Sequence, residues 1–144
     1  MKSLSIPAMI VTLAVVVLAQ GDVPAHHGAP PGRGDALPPI LAGEQLLGPE
    51  FTHPSQKRSY ELAAKIQEVV YQQPCYCHCD RGFGHTSLRT CYQSTHATGC
   101  SICMQEVFYS YQMTKQHKTA AQIRQGIISG EWKKIDLETA ASIR

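Results

Sequence analysis

The stretch Pro74-Cys75-Tyr76-Cys77-His78-Cys79 opens the part of this 144-residue chain that decides its fold and its chemistry. All six cysteines lie between positions 75 and 103, in the order C-x-C-x-C, eleven residues, one cysteine, eight residues, C-x-x-C. Three of the seven histidines fall in the same interval. Cysteines that only fill a core do not cluster in this way. The pattern therefore indicates that a metal ion or a set of disulfides holds this segment.

The N-terminus has the composition of a secretory signal peptide. Lys2 is the only charged residue before Asp22, and residues 6–18 form a mostly apolar run that is too short for a dedicated membrane-spanning helix. Val17-Leu18-Ala19 places small or apolar residues where a signal peptidase reads the chain. We expect residues 1–19 to be removed and the mature chain to be exported, to a periplasm or to the medium. The residue directly after the cleavage site is not a cysteine, so we expect no lipid anchor.

Residues 20–50 have the composition of a disordered linker. Six prolines alternate with six glycines, and the segment contains no aromatic residue. Such a sequence buries too little apolar surface to offset the entropy lost on ordering. We therefore expect three parts in the chain: the signal peptide 1–19, the linker 20–50 and a folded domain 51–144.

The domain is predicted to be mainly α-helical. Apolar residues spaced by three and four between Leu62 and Gln73 indicate an amphipathic helix, which Pro74 ends. A second helix is predicted over about residues 100–117. A third helix is predicted to begin at a capping box formed by Thr119 and Gln122 and to stop near Gly130. After it, Trp132, Ile135 and Leu137 are expected to pack back on the core.

Residues 74–99 lack a helical period and are expected to form a Cys/His-rich loop, with short extended pieces, between the first and second helices. Because side chains alternate along an extended chain, Cys75, Cys77 and Cys79 would project to one side of it. The core of such a small domain is marginal, so a metal or disulfide staple is expected.

One combination of residues is typical of a known family. It consists of Pro74, Cys75, Tyr76, Cys77, Cys79, Gly84-His85, Ser87, Cys91 and Gly99-Cys100-x-x-Cys103. Through these residues the chain resembles, over about residues 59–137, the bacterial exported proteins and lipoproteins named for a PCYCGC motif. Two departures from that pattern are evident: His78 stands where the family usually has glycine, and the lipobox cysteine common in the family is missing. The family has no established activity, so the resemblance implies a grouping and no mechanism.

Thiolate and imidazole groups are the ligands that zinc and copper(I) prefer. A C-x-x-C at a helix start lets two sulfurs converge on one ion, where the helix dipole stabilises thiolates. Among the imidazoles, His85 is the first candidate and His96 the second. Eight candidates exceed one tetrahedral site, so either two ions bind or some residues serve another purpose. The candidate metal ligands are Cys75, Cys77, Cys79, His85, Cys91, His96, Cys100 and Cys103.

Two alternatives stay open. Six cysteines in a small exported domain are also typical of three structural disulfides. A bridge within C-x-C is strained, so the first three cysteines would have to pair outward to the last three. Alternatively, Cys100 and Cys103 could act as a thiol–disulfide redox pair, although the βαβ pattern usual for that motif is not evident.

The sequence predicts binding and not catalysis. It shows no Ser/His/Asp order, H-E-x-x-H motif or carboxylate pair. The net charge of +2 is spread along the chain, whereas nucleic-acid binding needs a concentrated basic face. We therefore expect an exported protein whose main partner is a zinc or copper ion, bound for storage, delivery or stability of the fold.

Overall fold

A computed structural model describes residues 22–144. The predicted signal peptide lies outside the described residues. Within the described range the chain forms helices and no strand, which confirms the mainly α-helical fold. None of the described helices is long and apolar enough to cross a membrane. The α-helices are α1 (Pro54–Lys65), α2 (Gln67–Tyr71), α3 (Cys79–Phe83), α4 (Ser101–Lys115), α5 (Ala120–Ile128) and α6 (Leu137–Ala140). Short 3-10 helices cover Gly43–Leu47, Leu88–Tyr92, Thr95–Gly99 and Glu131–Lys134.

The central element of the fold is α4, which packs against α1, α5, α6 and all three 3-10 helices from Leu88 onward. Its inward side chains include Val107 and Phe108, both fully buried. Burial extends well beyond one stripe, because every residue from position 106 to position 111 is buried. A helix covered on most of its sides is the core of a small bundle, and the cysteines at its start are therefore held on a rigid element.

The predicted first helix is in fact two helices. The backbone leaves helical geometry at Ile66 (φ −121°, ψ 33°), and α2 begins one residue later. The apolar spacing continues through the break, since Leu62, Ile66 and Val70 are all buried. Beyond α2, the buried side chain of Gln73 donates a hydrogen bond to the Ala120 carbonyl at 3.1 Å. This bond ties the entry to the cysteine run to the start of α5.

The N-terminal cap of α5 agrees with the prediction. The Thr119 hydroxyl accepts from the Gln122 amide at 3.2 Å, and the Gln122 side chain accepts from the Thr119 amide at 2.9 Å. This reciprocal pair is a capping box. After the helix, Gly130 adopts a left-handed conformation with φ 78°, which is the usual role of a glycine at a helix end. Trp132 then packs with Tyr109, Ile123 and Ile127 in a second buried cluster.

Residues 22–50 have no regular secondary structure apart from the 3-10 helix Gly43–Leu47, and parts of the segment contact the helical domain. Ile40 and Leu46 are buried in the main hydrophobic cluster. The Leu41 amide donates to the Tyr92 carbonyl at 3.0 Å. Residues 28–36 are exposed except for one partly buried proline. The predicted linker boundary at residue 50 stays a prediction, and these contacts are among those by which the segment meets the domain.

Candidate metal centre

The thiols of the C-x-C-x-C run meet those of the C-x-x-C at the start of α4. The Cys75 sulfur lies 3.1 Å from that of Cys77 and 3.3 Å from that of Cys103. The Cys77 and Cys103 sulfurs are 3.7 Å apart, and the Cys100 thiol interacts with both. The predicted convergence of these two groups is confirmed. All six cysteines lie in the described part of the chain, and all six are free thiols.

A turn brings the first three sulfurs together. The His78 amide donates to the Cys75 carbonyl at 3.1 Å, which closes a turn over residues 75–78, and α3 begins at Cys79. The sulfurs of Cys77 and Cys79 are 2.7 Å apart. The predicted grouping of three sulfurs is therefore present, but the extended conformation from which we predicted it is wrong. Short helices, and not extended pieces, also fill most of the interval that follows.

The two candidate histidines lie side by side on the more exposed flank of the centre. His96 Nε2 is 2.9 Å from the Cys79 sulfur, and His85 Nδ1 is 3.2 Å from the Cys91 sulfur. The two imidazole rings meet edge to face, with their centroids 4.8 Å apart. The Phe83 ring lies against His96 at 4.9 Å and is itself 69% exposed. Solvent therefore reaches the centre from this flank.

Two groups of four side chains have all their ligand atoms within 4.8 Å of one another. One group is all sulfur, and the other contains three sulfurs and an imidazole. His85 and Cys100 belong to neither group and lie at their edges. The predicted order of the histidines is thus reversed, because His96 joins a four-ligand group and His85 does not. The first group is Cys75, Cys77, Cys91 and Cys103, and the second is Cys77, Cys79, Cys91 and His96.

The sulfur separations fit a thiolate-bound metal after small adjustments. Around a tetrahedral zinc ion with Zn–S bonds of about 2.3 Å, neighbouring sulfurs are about 3.8 Å apart. The separation of 3.7 Å between Cys77 and Cys103 already matches this value. The contacts of Cys75 need to open by about 0.5–0.7 Å and that of Cys77 with Cys79 by about 1 Å, which rotations of the side chains would have to supply. The donor set of thiols and imidazole is the one that zinc and copper(I) bind.

The ionisation of the thiols depends on their contacts. The pKa of Cys77 is lowered, because the thiols of Cys100 and Cys103 donate hydrogen bonds to its sulfur. The pKa of Cys103 is raised, chiefly by its contact with Cys100. Burial is the main cause that raises the pKa of Cys79. Cys77 is therefore the thiol whose ionisation its neighbours favour, and a bound cation would supply the positive charge that lets the other thiols ionise.

Glu106 is a buried carboxyl beside this cluster, and sequence reasoning missed it. Its side chain is 0% exposed, and Oε1 accepts from the Tyr76 amide at 2.8 Å. Burial raises the pKa of Glu106 to about 8. The carboxyl fixes the turn 75–78 to α4, one helical turn after Cys103. A charged residue on the inward side of a helix, three positions after a candidate ligand, is the sequence signal that could have found it.

Comparison with known proteins places the chain in a family. A family model described as a protein of unknown function with a PCYCGC motif matches residues 42–135. The chain belongs to this family. The match covers all six cysteines and begins upstream of the region on which we based the resemblance. Searches of curated proteins and of solved structures gave no match.

The position at which this PCYCGC protein departs from the motif has a special conformation. The motif has glycine between its second and third cysteines, where this chain has His78. The His78 backbone is left-handed, with φ 55° and ψ 35°. Glycine adopts this conformation without steric cost, whereas an L-residue pays about 1 kcal/mol. The motif's glycine is thus explained by the turn that directs Cys79 toward Cys77.

Proposed function

We propose that this PCYCGC protein is exported and binds zinc or copper in its thiolate centre, for storage, delivery or stabilisation of its fold. The observation that carries the proposal is the convergence of five cysteines and His96 into two overlapping groups of four ligands. The family description itself states no function. The proposal therefore rests on the donor chemistry and geometry of this chain.

Metal binding would link five separate segments of the chain. The ligands come from five segments: the turn 75–78, α3, the 3-10 helices Leu88–Tyr92 and Thr95–Gly99, and α4. An ion that binds only the folded arrangement adds its binding free energy to the stability of the fold. This contribution matters in a domain of this size, because a small core leaves a narrow margin of stability.

Thiol–disulfide exchange is the alternative function that uses the same sulfurs. Cys100 and Cys103 begin α4 and interact with each other, in a position where the helix dipole stabilises a thiolate. A redox pair needs only these two sulfurs. Cys103 also lies 3.3 Å from Cys75 and 3.7 Å from Cys77, so at least four sulfurs meet at this point. This excess of sulfurs favours the metal site over the redox pair.

The test is metal analysis beside a free-thiol count. The full mature chain is purified, reduced, loaded with zinc or with copper(I) under exclusion of oxygen, and freed of excess metal. We expect stoichiometric metal, thiols protected from alkylation until a chelator is added, and a marked loss of thermal stability on metal removal. Failure to retain either metal after complete reduction, together with three disulfides in the air-exposed protein, would overturn the proposal.

Cys103 and Cys100 provide a matched pair of variants. Both lie at the start of α4, but Cys103 belongs to a four-ligand group and Cys100 does not. We expect Cys103→Ser to lose metal and Cys100→Ser to retain it. A redox function predicts a different result, because removing either cysteine would then abolish the pair equally.

A further inference from the structure

We propose that the centre holds two metal ions, joined by the shared sulfurs of Cys77 and Cys91. This inference rests on the metal-binding function proposed above and adds to it the number of ions, the bridging residues and the charge of the metal. The observation behind it is that the two four-ligand groups have these two cysteines in common.

The number of ligands is the one that two tetrahedra with a common edge require. Two separate four-coordinate sites need eight ligands, whereas two sites that share two ligands need six. The two groups together comprise five cysteines and His96, which are six residues. Each ion would then have two bridging sulfurs and two ligands of its own, and no member of either group would be left over.

The positions of the sulfurs agree with this division. Cys77 contacts members of both groups, since its sulfur lies 2.7 Å from Cys79 and 3.1 Å from Cys75. On one side of it the Cys75 and Cys103 sulfurs form a pair at 3.3 Å. On the other side the Cys79 sulfur and His96 Nε2 form a pair at 2.9 Å. Each of these pairs supplies the two unshared ligands of one ion.

Charge balance favours two divalent ions. Five thiolates carry a charge of −5, which one divalent ion or two copper(I) ions reduce only to −3, and two divalent ions to −1. Cys91 and Cys103 are 0% exposed, so excess negative charge here cannot be solvated by water. An uncompensated charge in such surroundings is strongly unfavourable. Each thiol releases its proton to solvent when its sulfur binds the metal, and the metal does not change its oxidation state. The charge balance therefore favours divalent ions such as zinc.

The test is the stoichiometry and connectivity of the ions in the full mature chain. Native mass spectrometry of the zinc-loaded protein is expected to show two ions per chain. Loading with ¹¹³Cd is expected to give two cadmium resonances, one for four sulfurs and one for three sulfurs and a nitrogen, split by coupling to each other through the bridging sulfurs. One ion per chain, or two uncoupled resonances, would overturn the shared centre while metal binding itself stands. No bound metal would overturn both proposals.

His96→Ala is the variant that tests the division without removing any of the buried sulfurs. His96 is partly exposed and would bind only the second ion, so we expect one ion to remain, with a single uncoupled cadmium resonance in the all-sulfur range. His85→Ala is the matched control, because His85 lies beside the centre but outside both groups. It is expected to keep two ions. Two coupled resonances in the His96→Ala protein, unchanged from the parent, would contradict the assignment.

Discussion

The two flanks of the cysteine centre differ in how the protein supports them. On the closed flank, Cys91 and Cys103 are 0% exposed and are backed by α4 and its neighbours. On the open flank, His85 and His96 are partly exposed, and the ring beside them, Phe83, is 69% exposed. This difference suggests a separate role for each flank of the cluster. Its closed flank would contribute to folding, and its open flank is where a bound metal would enter and leave.

The closed flank is fixed by hydrogen bonds that do not involve sulfur. The hydroxyl of the fully buried Tyr92 donates to the Cys103 carbonyl at 2.9 Å. The Glu106 carboxyl accepts from the Tyr76 amide, which lies between two cysteines of the cluster. On the open flank, α3 is bounded by two left-handed residues, His78 and Gly84, and most of its residues are exposed. Changes on the closed flank should therefore cost far more stability than changes on the open flank.

The largest effect is expected at Glu106. In Glu106→Ala the partly buried Tyr76 amide loses its acceptor and a cavity forms at the fully buried position 106, so we expect a loss of about 3 kcal/mol in the free energy of unfolding. Glu106→Gln keeps an acceptor oxygen of the same reach and should lose much less. Urea denaturation of the reduced, metal-free proteins measures both. Equal losses in the two variants would show that the Tyr76 bond is not what the residue contributes.

The same residue gives the stability of the closed flank a pH dependence. Because burial raises the pKa of Glu106 from 4.5 to about 8, the folded state holds a proton that the unfolded state releases between these values. The free energy of unfolding should therefore fall as pH rises through this window, by up to about 1.4 kcal/mol per pH unit. Glu106→Gln lacks this ionisation, so its stability relative to the parent should be higher at pH 8 than at pH 5.5.

The contrast between the flanks also explains what could be predicted from the sequence. The periodic segments α4 and α5 were predictable, because their apolar spacing and the Thr119 cap are local signals. The break at Ile66 was not, since the apolar spacing runs through it without change. The ligand role proposed for His96 depends on a contact with Cys79, seventeen positions earlier, which no local pattern specifies. The sequence favours His85 as the first imidazole candidate, whereas tertiary packing places it at the edge of both groups.

An intermediate effect is expected where the two flanks join, at His78. Its left-handed backbone, φ 55°, is strained for histidine and suits the glycine of the motif. We expect His78→Gly to stabilise the protein by about 0.5–1 kcal/mol without changing the amount of metal bound. Part of this gain is offset, because glycine makes the unfolded chain more flexible. His78→Ala is the control, since it removes the imidazole but keeps the strain, and should not stabilise. If alanine stabilises as much as glycine, then the imidazole and not the backbone is the unfavourable element.

The smallest effect on stability is expected at the open flank, at Phe83. This side chain is mostly exposed, so Phe83→Ala should change the free energy of unfolding by no more than about 0.5 kcal/mol. Its ring covers His96, however, and removing the ring opens that imidazole to solvent. We therefore expect the metal-loaded variant to release metal to a chelator faster than the parent, while its melting temperature stays nearly the same.

Leu47→Ala is the matched control for Phe83→Ala. Leu47 is also exposed, at 71%, but it lies in the 3-10 helix Gly43–Leu47, which supplies no ligand to the centre. Its removal should leave the release of metal unchanged. If both variants release metal at the parental rate, then metal does not leave past Phe83. The division into a closed flank for folding and an open flank for exchange would then be wrong, because exchange would require the buried sulfurs to unfold first.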